Sequence, residues 1–246
     1  MNIFNRTFSQ SISIAALLFL FSSGCKKEEA NTPIVHETGT MTDIEGNIYK
    51  TVKIGNQWWM AENLKVKKYR NRFQINIGQD SIDWTQSSGA YCLYEKDASS
   101  PGLLYNWFTV NDTSNLAPAG WHIPTDDEWK ALERFLGMSS NDADNVSWRG
   151  THEAEKLKIE LPDNWHAYGD VWSTNESGFS ALAGSCRLDD SRWGTPGLFS
   201  TGFWWTATEK SNTNDAWYRY LDYKNANVFR SKCSKNYGFS IRCVKD

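Results

Sequence analysis

The sequence predicts an α+β domain of mostly antiparallel short strands with two helices and long loops. Three observations predict it. Apolar and aromatic residues recur in short runs bounded by Gly and Asn turns, a capping signal opens one amphipathic helix, and the tail carries four strand-like runs separated by polar turns.

An export signal precedes that domain. Residues 1–24 carry one charge, Arg6, then an apolar stretch from Ile12 to Phe21, then Ser22, Ser23 and Gly24 before Cys25. This is a signal-peptide layout, and its apolar stretch is far shorter than the roughly 20 residues of a permanent span. Small residues before a Cys and a charged spacer after it resemble a lipobox, although Ser22 stands where that motif usually has Leu. The resemblance implies cleavage after Gly24 and acylation of Cys25, and two or more acyl chains anchor a protein far better than one. The alternative is an ordinary cleaved secretory signal. Lys26-Lys27-Glu28-Glu29 resembles the signal that sends some lipoproteins to the outer face of the outer membrane, with a plain solvated spacer as its alternative. Residues 25–37, mostly polar and holding Pro33, read as a tether.

Loss of residues 1–24 leaves 222 of the 246 residues and a formal charge of −4, one below the whole chain's −3 because Arg6 is removed. Nothing in that balance makes the basic surface that nucleic-acid binding needs. All 13 Trp lie in the mature part and no Pro/Gly/Ser-rich linker divides it, so residues 38–246 are expected to form a single domain. Four Cys remain besides Cys25: Cys92, Cys186, Cys233 and Cys243. An even number in an oxidising compartment favours two disulfides, and their spacing does not suit zinc.

From Thr40 the elements follow in order. Met41-Thr42-Asp43 and Ile48–Ile54 flank the turn former Glu45-Gly46-Asn47, and Gly55-Asn56 turns the chain into Gln57–Ala61, which predicts antiparallel strands with tight turns. Residues 66–88 are polar and ambiguous. In Gly120–Trp129, Thr125 and Glu128 are spaced as a capping box, and Asp126 and Asp127 add negative charge at the positive end of a helix. Capping accounts for all three carboxylates here, in preference to a catalytic or metal-binding role. Trp129, Leu132, Phe135 and Leu136 are expected on one face, with Gly137 as the stop. A second helix is expected from Glu153 to Leu161, ended by Pro162. Residues 164–202 lack a period and read as loops around short strands. Strands then recur at Phe203–Thr208, Ala216–Leu221, Asn227–Arg230 and Gly238–Val244.

Four blocks of the chain carry a family resemblance. They are Thr42–Leu64 (TDIEGNIYKTVKIGNQWWMAENL), Leu104-Tyr105-Asn106-Trp107, Gly120–Trp129, and Trp217-Tyr218-Arg219 with Gly238–Val244. Together they resemble the Fibrobacter succinogenes major paralogous domain of exported bacterial lipoproteins, over roughly residues 38–246. The stretch from Trp121 to Trp129, with Pro124, Thr125 and Glu128 between, is also similar to formylglycine-generating and sulfatase-modifying domains. That similarity implies a C-type-lectin-like fold. It does not carry their activity, because no block with paired late cysteines is present, and the calcium tripeptides of sugar-binding C-type lectins are absent as well. The family pattern implies a Cys92–Cys243 disulfide, and Cys186 and Cys233, which are additions to that pattern, are expected to pair with each other.

No catalytic motif stands out. None of His36, His122, His152 and His166 is spaced for zinc, and neither a nucleophile elbow nor a phosphate loop occurs. The expected function is therefore a non-catalytic binding or adhesion domain displayed by a lipid anchor at the outer membrane, with glycans as expected ligands. The alternative is a structural envelope protein that contacts partner proteins, with an enzyme a distant third. Trp58, Trp205 and Trp217 read as core. Trp193, flanked by Asp189, Asp190 and Arg192, reads as the ligand-binding candidate, because an aromatic ring beside carboxylates suits a sugar; its alternative is a loop anchored by its Trp. No cofactor is required, and calcium is left open with Asp189, Asp190, Glu209 and Asp215 as oxygen donors.

Overall fold

The turn residues of the first block fold as their chemistry dictates. In the computed structural model, which describes residues 35–78, 84, 87–93, 102–160, 164–190, 192–194 and 199–246, β1 (Thr38–Thr42) and β2 (Ile48–Ile54) pair antiparallel. Asp43 organises the turn between them: its carboxylate accepts from the backbone N–H groups of Glu45 and Asn47 and from the Tyr49 hydroxyl. Gly55, at φ +60°, reverses the chain into β3 (Gln57–Met60), which pairs with β2.

Along the chain follow β4 (Asn76–Ile77), β5 (Ala90–Cys92), β6 (Leu104–Tyr105), α1 (Trp107–Val110), β7 (Trp121–His122), α2 (Asp126–Phe135), α3 (Ser140–Asp144), β8 (Ser147–Arg149) and α4 (Glu153–Leu157). The last strands are β9 (Thr201–Glu209), β10 (Asp215–Asp222), β11 (Val228–Ser234) and β12 (Val244–Lys245). They make three sheets, ordered β1-β2-β3-β12-β7, β8-β11-β10-β9 and β4-β5-β6. Every pairing between named strands is antiparallel except β4 with β5. The fold class is thus α+β, within one compact unit over Ile34–Asp246. No helix among the described residues is long and apolar enough to cross a membrane.

Among the described residues four helices stand where two were expected. The additional ones, α1 and α3, are single turns that rest on Asn106 and Ser139, whose side chains accept from the backbone N–H of Thr109 and Asp142. Helix α4 ends at Leu157, earlier than Pro162 would require, because Lys158 turns extended and bridges to Ala181. On α2 the capping box forms as the sequence specifies. Its buried face holds Trp129, Leu132 and Leu136, whereas Phe135 is 63% exposed. Six residues beyond Trp129, Phe135 has rotated off the stripe that the 3.6-residue period defines.

The Gly238–Val244 run forms a ladder strand only at its end, for an informative reason. Gly238 bridges Arg187, Phe239 bridges Tyr105 at β6, and Ser240 bridges Trp204 on β9. Ile241 and Cys243 then accept from Leu64 and Met60 N–H groups, and Val244 pairs with both β3 and β7. One segment therefore stitches all three sheets, and a chain that changes partner every residue or two cannot register as a single long strand. Arg242 lies fully buried within it, bonded to Asn63 Oδ1 at 2.8 Å and to the carbonyls of Phe179 and Ser180. Burial holds its guanidinium well below the ordinary arginine value, at about 9.

Candidate functional site

Helix α2 meets the four-stranded sheet through a buried charge cluster, which gives Asp126 a role beyond capping. Asp126 binds Arg230 through both carboxylate oxygens (2.9 and 2.6 Å) and Arg219 at 2.7 Å. Glu133 binds Arg219 and Arg149, each at 2.7 Å. Glu133 and Arg219 are fully buried and Arg149 nearly so. Burial alone would raise the Asp126 carboxyl, but the Arg230 hydrogen bonds and the Arg219 charge outweigh it and hold the group well below the usual carboxylate range. Arg219 is raised in spite of burial by Glu133 and Asp126, while burial lowers Arg149. With its carboxylates saturated and shut away from solvent, this cluster clamps a helix to a sheet and offers nothing to a ligand.

The opposite face of the same sheet is different. Residues alternate along β10, so Arg219 and Leu221 turn toward α2 while Tyr218 and Tyr220 turn away. Register then aligns four rings: Phe203 on β9 opposes Tyr220 on β10, Tyr220 opposes Phe229 on β11, and Phe229 opposes Trp148 on β8. Adjacent centroids are 4.6, 5.7 and 5.1 Å apart, so one ring from every strand forms a row across the sheet. At about 4.8 Å per strand the row is roughly 14 Å long. All four rings are half-buried. Phe203 stacks on buried Phe239 at 5.1 Å and ties one end of the row to the core. The Tyr220 hydroxyl donates to Asp222 at 3.2 Å, and Asn225 donates to both Asp222 oxygens, which sets polar groups beside the rings.

The sequence candidates lie on a segment outside that sheet. Arg187 and Trp193 bridge to make a hairpin whose tip carries exposed Asp189 and Asp190. Arg192 pairs with Asp190 at 2.5 Å, a contact that lowers the Asp190 carboxyl and raises the Arg192 guanidinium. Tyr237 is raised first by burial and next by the charge of Asp189. Trp193 is half-buried and packs against the cluster of Trp84, Ala90, Cys92 and Leu104, a placement that suits the alternative of a loop anchored by its Trp. Of the oxygens left open for calcium, Asp190 is taken by Arg192 and Glu209 by Lys235 at 2.5 Å, while Asp215 is half-buried on β10. Among the described residues no three His, Cys, Asp or Glu side chains gather as a metal site.

Cys186, Cys233 and Cys243 are thiols in the structure. Cys186 and Cys243 belong to the main core cluster and Cys233 packs against it, whereas Cys92 belongs to the cluster around Trp84. Cys233 is raised by burial and then by Cys186, so those two are neighbours. Trp205 is core as expected, but Trp58 and Trp217 are only half-buried, Trp217 lying under Arg230 at 3.8 Å. His122 bonds Glu128 and Asp246, each at 2.7 Å; burial would lower its pKa, but those two bonds raise it. Cys25 and the residues of the signal and tether up to 34 lie outside the described residues.

The ring row was missed in the sequence because its members sit on four strands and none of them marks a motif. The alternation at Trp217–Leu221 was the available signal, and the register that aligns the rings was not.

A family model described as the Fibrobacter succinogenes major domain matches residues 52–245. No curated protein and no solved structure matches the chain.

Proposed function

The chain belongs to the Fibrobacter succinogenes major domain family, and from that premise we propose that it is an exported, lipid-anchored binding protein whose row of four aromatic rings docks an extended carbohydrate. The row is the observation that carries this reading. Sugar rings present apolar C–H faces and hydroxyl edges together, and the sheet offers rings spaced along roughly 14 Å with Asp222, Asn225 and the Tyr220 hydroxyl at their side. Full burial would close such rings to a ligand; here Trp148, Tyr220 and Phe229 meet one another tilted or edge-on and stay half-buried, so each keeps part of its surface open. We read the domain as C-type-lectin-like, a reading supported by the Trp121–Trp129 stretch and by long loops set on short antiparallel strands. Cys25, acylated after removal of residues 1–24, is the proposed anchor, and the outer membrane is its proposed site.

The test is a screen of the purified chain against neutral and acidic polysaccharides and against envelope-protein extract, run with calcium and with chelator. Binding of a polysaccharide that Tyr220→Ala and Trp148→Ala each weaken supports the proposal. Removal of one half-exposed ring forfeits about 1.5 kcal/mol of apolar burial, roughly tenfold in Kd. Retention of envelope protein with no glycan bound would overturn it in favour of protein contact. Anchoring is tested separately: blocking lipoprotein signal peptidase with globomycin should accumulate precursor, and Cys25→Ala should release the protein from membranes. Unchanged fractionation of that variant would refute the anchor.

A further inference from the structure

A cleft of about 560 Å³ opens on the side of the molecule built by α1, β4 and β5, within the roughly 300–1,000 Å³ usual for small-molecule sites. Its walls carry Asn76, Ser88, Asn111 and Asp112, with Tyr69 and Lys235 alongside and the Trp107 ring at one side. The walls are held in place by groups behind them. Fully buried Asn106 accepts from the Ala90 N–H (3.0 Å) and donates to the Ser88 carbonyl (2.9 Å), while it caps α1 through Thr109. Thr109 in turn donates to the Ala90 carbonyl at 3.0 Å. Gly89 lets the Tyr69 hydroxyl lie against the backbone, since a Cβ there would overlap that oxygen.

The charges of the cleft define what it can take. Lys235 is its cation, and its ammonium is neutralised by Glu209 at 2.5 Å and lies 4.6 Å from the Trp107 ring centroid. Asp112 accepts the Ser114 N–H at 2.8 Å, and burial, followed by the Asp112 charge, raises the Tyr69 hydroxyl, which therefore stays a donor across the physiological range. With Lys235 paired to Glu209, hydroxyls, amides and one carboxylate are the other hydrogen-bonding groups of the cleft. We propose that this cleft is a second binding site, specific for a neutral polyhydroxylated ligand of one or two sugar rings. It is formed by residues other than those of the ring row, so it stands or falls independently of that surface.

The experiment is calorimetric titration of the detergent-solubilised full chain with glucose, galactose, N-acetylglucosamine and cellobiose, with glucuronate and glycine as charged probes. Asn76 and Asn111 are exposed, so Asn76→Ala with Asn111→Ala leaves the fold intact, which a thermal melt verifies. The expected result is saturable binding of at least one neutral sugar, weakened tenfold or more by the paired substitution and unchanged by Tyr220→Ala. Absence of any neutral-sugar binding, or binding that the paired substitution leaves unaltered, would overturn the assignment. Preference for glucuronate or glycine would overturn its neutral specificity. Loss of the same binding in Tyr220→Ala alone would assign the sugar to the ring row.

Discussion

Glu133→Gln is the substitution that the buried charge cluster makes most costly. Glu133 is the carboxylate that pairs Arg149, whose side chain is 1% exposed and whose other side-chain hydrogen bond among the described residues goes to the Met138 sulfur at 3.2 Å. The Arg149 Nε already lacks a partner. Arg219 keeps Asp126 when Glu133 is neutralised, and Asp126 keeps Arg230, so the damage concentrates on one stranded guanidinium. Breaking a buried pair in this way costs about 3–5 kcal/mol. Against a total stability of roughly 5–15 kcal/mol that is at least about a fifth. For a unit the size of Ile34–Asp246 it corresponds to a fall in Tm of roughly 6–20 °C. Thermal and urea melts followed by circular dichroism measure it. The double variant Glu133→Gln with Arg149→Met should recover at least half the loss, because removal of both charges leaves none stranded. A single variant within about 1 kcal/mol of the native chain, or a double variant as weak as the single, would refute the reasoning.

Further expectations follow from the same contacts. His122 is raised by Asp246 and Glu128 in the fold, so its stabilisation is full below its unfolded pKa of about 6.5 and is lost as pH rises through the folded value. The Tm difference between the native chain and His122→Gln should accordingly shrink from pH 5 to pH 9, and a constant difference would sink the assignment. Asp126 has the opposite sign: its stabilisation is present above about pH 3.9 and is lost as pH falls through the lowered folded value, so Asp126→Asn should flatten the acid limb of the stability curve. Non-reducing peptide mapping of the exported chain should find Cys186 joined to Cys233, whereas a Cys233–Cys243 bond would contradict that pairing. Burial pushes the folded Cys186 thiol up to about 12, so the bond should form during folding and only slowly in the native protein. Protease shaving of intact cells should remove the domain, and replacement of Lys26-Lys27-Glu28-Glu29 by Ala should protect it if that run directs surface display.

The local signals were the legible ones. Asp43, Gly46 and Gly55 specified the first two hairpins, and Thr125 with Glu128 specified the start of α2, because each is a bond between residues close in sequence. The helix-capping account of Asp126 held but was incomplete: its arginine partners are 93 and 104 residues away, and nothing near Arg219 or Arg230 announces them. The packing of Trp193 was hidden in a related way. Its neighbours in sequence are polar, but its neighbours in space are Trp84 and Leu104. Gly238–Val244 read as one strand because its apolar alternation is that of a strand, whereas its backbone bonds are divided among three sheets. The ring row was the least legible feature, since strand composition gives the aromatic residues and only register gives their alignment.

The ring row itself carries the functional account, and the most direct measurement is the affinity of the polysaccharide found in the screen for four proteins: the native chain, Trp148→Ala, Tyr220→Ala, and Trp193→Ala as the hairpin control. The account predicts roughly tenfold weaker binding for each of the two row variants at unchanged Tm, with a smaller effect of Trp193→Ala. Equal affinity of Trp148→Ala, Tyr220→Ala and the native chain would contradict it.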